Sequence, residues 1–499
     1  MAAVMVAGAL ALSSAACTKR TSARRGPRLV LLYATCSLNK DFLAPYSSSV
    51  RYTPHLAQFA RQGRVFLRHQ TEAGMSGPDF AALLTGTQAD RHGVFVHPAR
   101  LADTSTLITE VFARAGYGTF FWDGHPIATA ELGYARGVIP GRVRQALLEA
   151  QDPAFVRLLE HLRRAPDSRA FVATSFTVTH AAYGLDRVSS FCERHPEACS
   201  GLSAAEILRW GELYHTHRLA LERNYEETAL RLRLTPRDRE RMATAIAAIY
   251  ASRVEYLDEL FGAVVAAIDA AGLADDSLIV FTADHGEMLY RANAPFKWMH
   301  GFMLTPDDLS PPLIMRGPGF APGTYEGVTR SIDVAPTLAA LAGIALPTGA
   351  MDGVDLTPAL HGTSAPPDLT AFSHTMLVPH AVYERSQRFT LFRGLFRELD
   401  APGMWVAARR GDLFYRMRTR LGQDLAPELF DLRTDPGLTR DLFDAKSQRD
   451  GGMAASLRTY KERLIEAYKQ DVAGHATLSE AEQQERLRSL GYIEGPVDK

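Results

Sequence analysis

The chain has 499 residues, 46% hydrophobic and 22% charged, which supplies a large core and excludes a disordered polymer. One large domain with a smaller companion is the organisation this length favours. Its 55 Lys and Arg balance 56 Asp and Glu, so no field of one sign steers it onto nucleic acid or an anionic membrane.

Residues 1–17 form an apolar run ending in Ser13-Ser14-Ala15-Ala16-Cys17, with basic residues directly after it. It is too short to span a bilayer and reads as the core of a secretory signal. The small residues before Cys17 resemble a bacterial lipoprotein cleavage site, which would make Cys17 a lipid anchor and the one membrane contact; an ordinary cleaved signal is the alternative. Both place the protein outside the cytoplasm, in the periplasm or cell envelope. Residues 18–27 follow as a linker. In an exported chain Cys192 and Cys199 have the spacing to close a short disulfide loop, with a reduced pair as the alternative.

Arg28 to Thr35 is a continuous branched apolar run, the pattern of a strand buried on both faces, and it delivers Cys36 to its carboxyl end. Thr53-Pro54 to Gly63 predicts a capped helix, Ser105 to Ala115 a second, Gly118 to Trp122 a strand and Ala170 to Phe176 another, ending near His180. Residues 204–271 read as mostly helical. The strand Ser277 to Ala283 then brings Asp284-His285-Gly286-Glu287 to its tip. This alternation predicts an α/β fold with a mostly parallel central sheet and helices on both faces, over residues 28–367. From 368 to 499 shorter runs, such as Arg388 to Arg393 and Glu428 to Asp431, predict a smaller domain with a short antiparallel sheet and a terminal helix near Ala454 to Tyr468.

Adjacent Asp and His at a strand end can both reach a divalent ion, and open α/β sheets bind ligands at such ends. Leu278 to Glu287 resembles the metal motif of the sulfatase family, in the alkaline-phosphatase-like superfamily. Leu83-Leu84-Thr85-Gly86, Arg91-His92-Gly93-Val94, Pro312 to Gly319, Ser331 to Thr337, Glu428 to Gly437 and Leu487 to Tyr492 are similar to its later blocks, in the same order. The resemblance implies a sulfuric ester hydrolase with a divalent metal, calcium by family.

Carried over position by position, the resemblance puts Ser76 at the nucleophile, seven residues before Leu83, where the family converts a Cys or Ser to formylglycine. Asp284 and His285 take metal positions, and Cys36 stands where the leading Asp ligand belongs. A thiolate prefers zinc to calcium, so zinc is the ion that Cys36 itself would suit; the alternative is a small buried residue in place of a lost ligand. His180 resembles the histidine that contacts the ester, and His300 fits a general acid for the leaving oxygen, with Lys297 as an anion-binding neighbour. His125 matches the family pattern least. Phe80 replaces the family's Arg beside the nucleophile, and Ser310 replaces a second Arg, so the site is divergent.

Three readings follow. The first is hydrolysis of a sulfate ester on a small molecule or glycan by Ser76 or its formylglycine. The second is a phosphoester or phosphonate hydrolase, or a phosphoryl transferase, using unmodified Ser76. The third is a non-catalytic relative that binds sulfated or phosphorylated glycans.

Overall fold

The computed structural model describes residues 26–95, 97–291, 294, 296–363, 368–375, 403–420, 423–444, 452–471 and 478–489. The signal-like segment with Cys17, the run Arg388 to Arg393 and the expected domain boundary at 367 lie outside the described residues.

Eight strands form the large sheet: β1 (Leu29–Thr35), β2 (Arg64–Gln70), β3 (Gly118–Gly124), β4 (Val143–Arg144), β5 (Ala170–Phe176), β6 (Ser277–Ala283), β7 (Leu313–Arg316) and β8 (Gly323–Arg330), in the order β4-β3-β5-β1-β6-β7-β2-β8. All neighbours are parallel except β7, which runs against both β6 and β2. The central strand β1 is buried along its whole length. Leu29, Leu31 and Tyr33 enter one core and Val30, Leu32 and Ala34 the other, so helices must cover both faces.

Register fixes where the chemistry sits. Thr35 of β1 lies opposite Phe176 of β5 and Ala283 of β6, so the next residues of all three strands emerge side by side at one rim. The predicted helices are present, over Pro54–Arg61 and Ile108–Arg114, and the long helical stretch divides into Ala204–Arg223, Tyr225–Arg231 and Pro236–Ala270. The second of the predicted strands runs two residues further than Trp122, to Gly124.

The second sheet is antiparallel: β9 (Ala371–His374), β10 (Gly403–Arg410), β11 (Leu413–Arg420), β12 (Gln423–Asp424) and β13 (Glu428–Asp431). Leu457, Tyr460 and Leu464 of the helix Met453–Asp471 pack on Met404, Val406 and Tyr415. This unit docks directly on the first: Arg68 pairs with Asp412 at 2.8 Å, and Tyr460 donates to buried Glu72 at 2.9 Å. Among the described residues no helix is long and apolar enough to cross a membrane.

Cys192 and Cys199 are bonded to each other in the segment that follows β5. A loop this short still restricts the unfolded chain, so changing both to Ser should cost about 2 kcal/mol. Thermal denaturation of the double variant beside the oxidised parent checks this; coincident midpoints would mean that the bridge contributes nothing.

Candidate active site

Ser76 is the first residue of the helix Ser76–Thr85, whose N-terminus favours negative charge. The loop before it is tied down by Asp79, whose carboxylate accepts from the backbone N–H groups of Glu72, Ala73 and Met75 at 3.1, 2.7 and 2.7 Å. At the tip of β1, Cys36 Sγ lies 3.3 Å from Ser76 Oγ. At the tip of β6, His285 Nε2 lies 3.2 Å from Ser76 Oγ and 3.8 Å from Cys36 Sγ. Ser76, Asp284 and His285 have no exposed surface.

The tautomer of His285 follows from its other nitrogen. Nδ1–H donates to the carbonyl of Gly286 at 2.7 Å, which leaves the Nε2 lone pair facing Ser76 and Cys36. Gly286 is required there, because a Cβ would sit 1.7 Å from the Asp307 carbonyl oxygen. Asp284 Oδ1 accepts from the N–H groups of Ser37 (3.1 Å) and His285 (2.6 Å), while buried Oδ2 has no hydrogen-bond partner.

One ligand atom each from Cys36, Asp284 and His285 can be chosen so that all lie within 4.8 Å of one another. The partnerless Oδ2, the free lone pair of Nε2 and the thiol together fit a divalent cation. One sulfur, one nitrogen and one carboxylate form the donor set of a borderline ion, far from the six to eight oxygens that calcium takes. Burial pushes the Asp284 carboxyl up to about 7, and burial and the Asp284 charge push the Cys36 thiol up as well.

Histidines form the opposite wall. The His300 ring centroid lies 4.3 Å from that of His285 and 5.3 Å from that of His180. His300 Nδ1 lies 3.2 Å from Glu287 Oε1, and Gly301 beside it is packed so closely on Met75 that a Cβ would meet Met75 Cγ at 2.3 Å. His125 joins the group: its ring packs edge-on against Phe80 at 5.4 Å, and Nδ1 accepts from the N–H of Ile127. Burial pushes His125 and His97 down to about 3, so both are neutral.

Lys297 is placed differently from the other predicted residues. Its ammonium sits 5.5 and 5.4 Å from the ring centres of Tyr225 and Tyr290, and it donates to the Ala294 carbonyl. Ser310, where the family resemblance leads one to expect an Arg, accepts from Arg409 of β10 at 3.3 Å.

Several residues escaped sequence reasoning. Asp79 had a readable signal, since Ser-x-x-Asp at a helix start is a capping pattern. Glu287 closes the Asp-His-Gly-Glu motif, and the sequence assigns it no role of its own. Asp308, with both carboxylate oxygens buried and partnerless and burial pushing it up to about 8, had no signal. Arg218, paired with Glu222 at 3.3 Å and in electrostatic reach of His180 and His300, lies in the segment 184–240 that has no chemical pattern.

Comparison with known proteins follows this geometry. The Sulfatase family profile matches residues 29–344. Choline-sulfatase of Rhizobium meliloti (strain 1021) is 40% identical over 115 residues, 23% of this chain and only 22% of that protein's own length. A solved protein in complex with its substrate D-glucosamine-2-N,6-O-disulfate superposes with a TM-score of 0.62 at 17% identity, over 90% of this chain and 99% of that one. The phosphonate monoester hydrolase of Agrobacterium radiobacter superposes with a TM-score of 0.57 at 22% identity, over 89% and 96%. With the family profile covering the whole of the large sheet up to and beyond β8, the chain belongs to the sulfatase family, in the alkaline-phosphatase-like fold.

Proposed function

We propose that this protein hydrolyses a sulfate ester with Ser76, or formylglycine formed from it, as nucleophile. The observation that carries the reading is the convergence of Ser76 Oγ, Cys36 Sγ and His285 Nε2 within 3.8 Å at a helix N-terminus. A divalent cation held by Cys36, Asp284 and His285 would supply the positive charge that an ester dianion-like transition state needs. The donor set favours zinc over the family's calcium.

The chain's own groups divide the remaining work. The helix N-terminus beneath Ser76 orients the anion, and burial of the site keeps bulk water away from it. Burial and the nearby Glu222 hold the Glu287 carboxyl well above its ordinary range, which favours its protonated form. Its O–H donates to His300 Nδ1, so that as Nε2–H gives its proton to the departing alcohol Nδ1 takes the Glu287 proton, leaving a neutral imidazole and a Glu287 carboxylate. His180, facing His300, contacts the ester on the leaving-group side.

The named relatives support sulfate: one is a choline-sulfatase and another binds a disulfated glucosamine. A phosphoryl or phosphonate reading with unmodified Ser76 is favoured by one observation: Phe80 stands where the family's Arg would serve a formylglycine, and a phosphonate monoester hydrolase shares the fold.

Ser76→Ala should lower kcat/KM on 4-nitrophenyl sulfate by roughly 10³-fold or more. Turnover equal to that of the parent would remove Ser76 as nucleophile, no turnover by the parent would leave only the non-catalytic binder, and a peptide mass short of two hydrogens at Ser76 would establish formylglycine. His300→Gln should slow alkyl sulfates by about 10²-fold and nitrophenyl sulfate much less, because only the poor leaving group needs a proton; equal losses on both would remove His300 from that role. Zinc titrations should show affinity rising from pH 6 to pH 8, since Asp284, at about 7, and the thiol must both shed protons to bind. Cys36→Asp should reverse the preference toward calcium, and an unchanged metal content would exclude Cys36 as a ligand.

A further inference from the structure

A cavity of about 450 Å³ opens beside the nucleophile site, lined by Gly124, Gln145, Thr177, His180, Gly184 and Arg253 among others. Gly124 ends β3, Gln145 follows β4 and Thr177 follows β5, so the cavity lies over the carboxyl ends of three adjacent strands. The sheet order puts β5 next to β1, whose tip carries Cys36. The cavity and the nucleophile site are therefore neighbours on one rim, and His180 belongs to both: it lines the cavity, and its ring lies 5.3 Å from that of His300. The volume falls within the range of ligand pockets.

We propose that this cavity is a leaving-group subsite for a sugar ring that carries a second anionic group, and that Arg253 reads that group. The inference rests on the sulfate-ester reading for the position of the scissile bond. The lining mixes the side chains of Leu147 and Val178 with those of Gln145 and Thr177, which suits a ring that presents C–H faces and hydroxyl edges. Arg253 brings the charge. It projects from the long helix Pro236–Ala270, with its guanidinium carbon 5.0 Å from the centre of the Tyr256 ring and Nε directed at the Val178 carbonyl, 3.4 Å away. Its carboxylate partner is Asp186 at 3.1 Å, whose side chain is 70% exposed. Asp186 lies largely in water whereas the Arg253 side chain is only 14% exposed, so a sulfate or carboxylate entering the cavity takes the place of a carboxylate that rehydrates as it leaves, and the guanidinium stays paired. A planar guanidinium fork matches either anion through two parallel hydrogen bonds. Gly184 allows this arrangement, since a Cβ there would lie 2.7 Å from Asp186 Oδ1 and 3.3 Å from Arg253 Nη1.

The test measures binding without turnover. Full-length Ser76→Ala protein is titrated calorimetrically with N-acetyl-D-glucosamine 6-sulfate, neutral at its nitrogen, and with D-glucosamine-2-N,6-O-disulfate, which carries a second anion there. The disulfate should bind about tenfold more tightly, and adding Arg253→Gln should abolish that preference. Arg253→Lys, which keeps the charge and loses the fork, should retain part of it and carries the test if the Gln variant does not fold. No preference in the parent, no binding of either sugar, or a preference that is undiminished in whichever variant folds would overturn the subsite. The two proposals separate cleanly: an inert wild type that shows the preference keeps the subsite and loses the hydrolase, and hydrolysis without the preference does the reverse.

Discussion

Everything in this site depends on the parallel, in-register pairing of β1 with β5 and β6. Thr35, Phe176 and Ala283 stand level, so the chain leaving each strand must place its next polar residues at one rim. A slip of one residue in β1 would turn its side chains to the opposite faces, and Cys36 would no longer meet Asp284 and His285. The burial of β1 on both faces makes that slip costly, because each of its side chains is matched to one of two cores. Chemical precision at the tip is thus a consequence of hydrophobic packing along the strand.

The site keeps most of its titratable groups uncharged. Arginines that the family resemblance leads one to expect are absent at Phe80 and Ser310, and the wall is built from buried, neutral histidines. Burial also raises Asp284 to about 7 and Asp308 to about 8, so acids and bases alike tend toward their uncharged forms. Permanent positive charge near the histidines comes from Arg218, in the helical segment after β5, while Arg409 of the second sheet meets Ser310.

This explains what could be read beforehand. Strands β1, β5 and β6 announce themselves through uninterrupted apolar runs, and Asp284-His285 follows from the strand end that precedes it. Ser76 and Cys36 were placed by motif register, and the structure brings both against His285. Lys297 had the right neighbourhood in sequence, yet the rings of Tyr225 and Tyr290, from separate segments, engage its ammonium. Arg218 and Asp308 could not be found, since their importance comes only from which distant groups pack against them. The same holds for Arg409, which lies 99 residues from the serine it touches.

The bond from Tyr460 to Glu72 carries a further implication. Glu72 begins the loop held by Asp79 that leads to Ser76, and its carbonyl accepts from the N–H of His374 while its carboxylate receives the Tyr460 hydroxyl. The C-terminal unit thus acts as a buttress for the loop that leads to Ser76, so pruning or swapping that unit during evolution would be felt first as a displaced Ser76, before any loss of the large sheet.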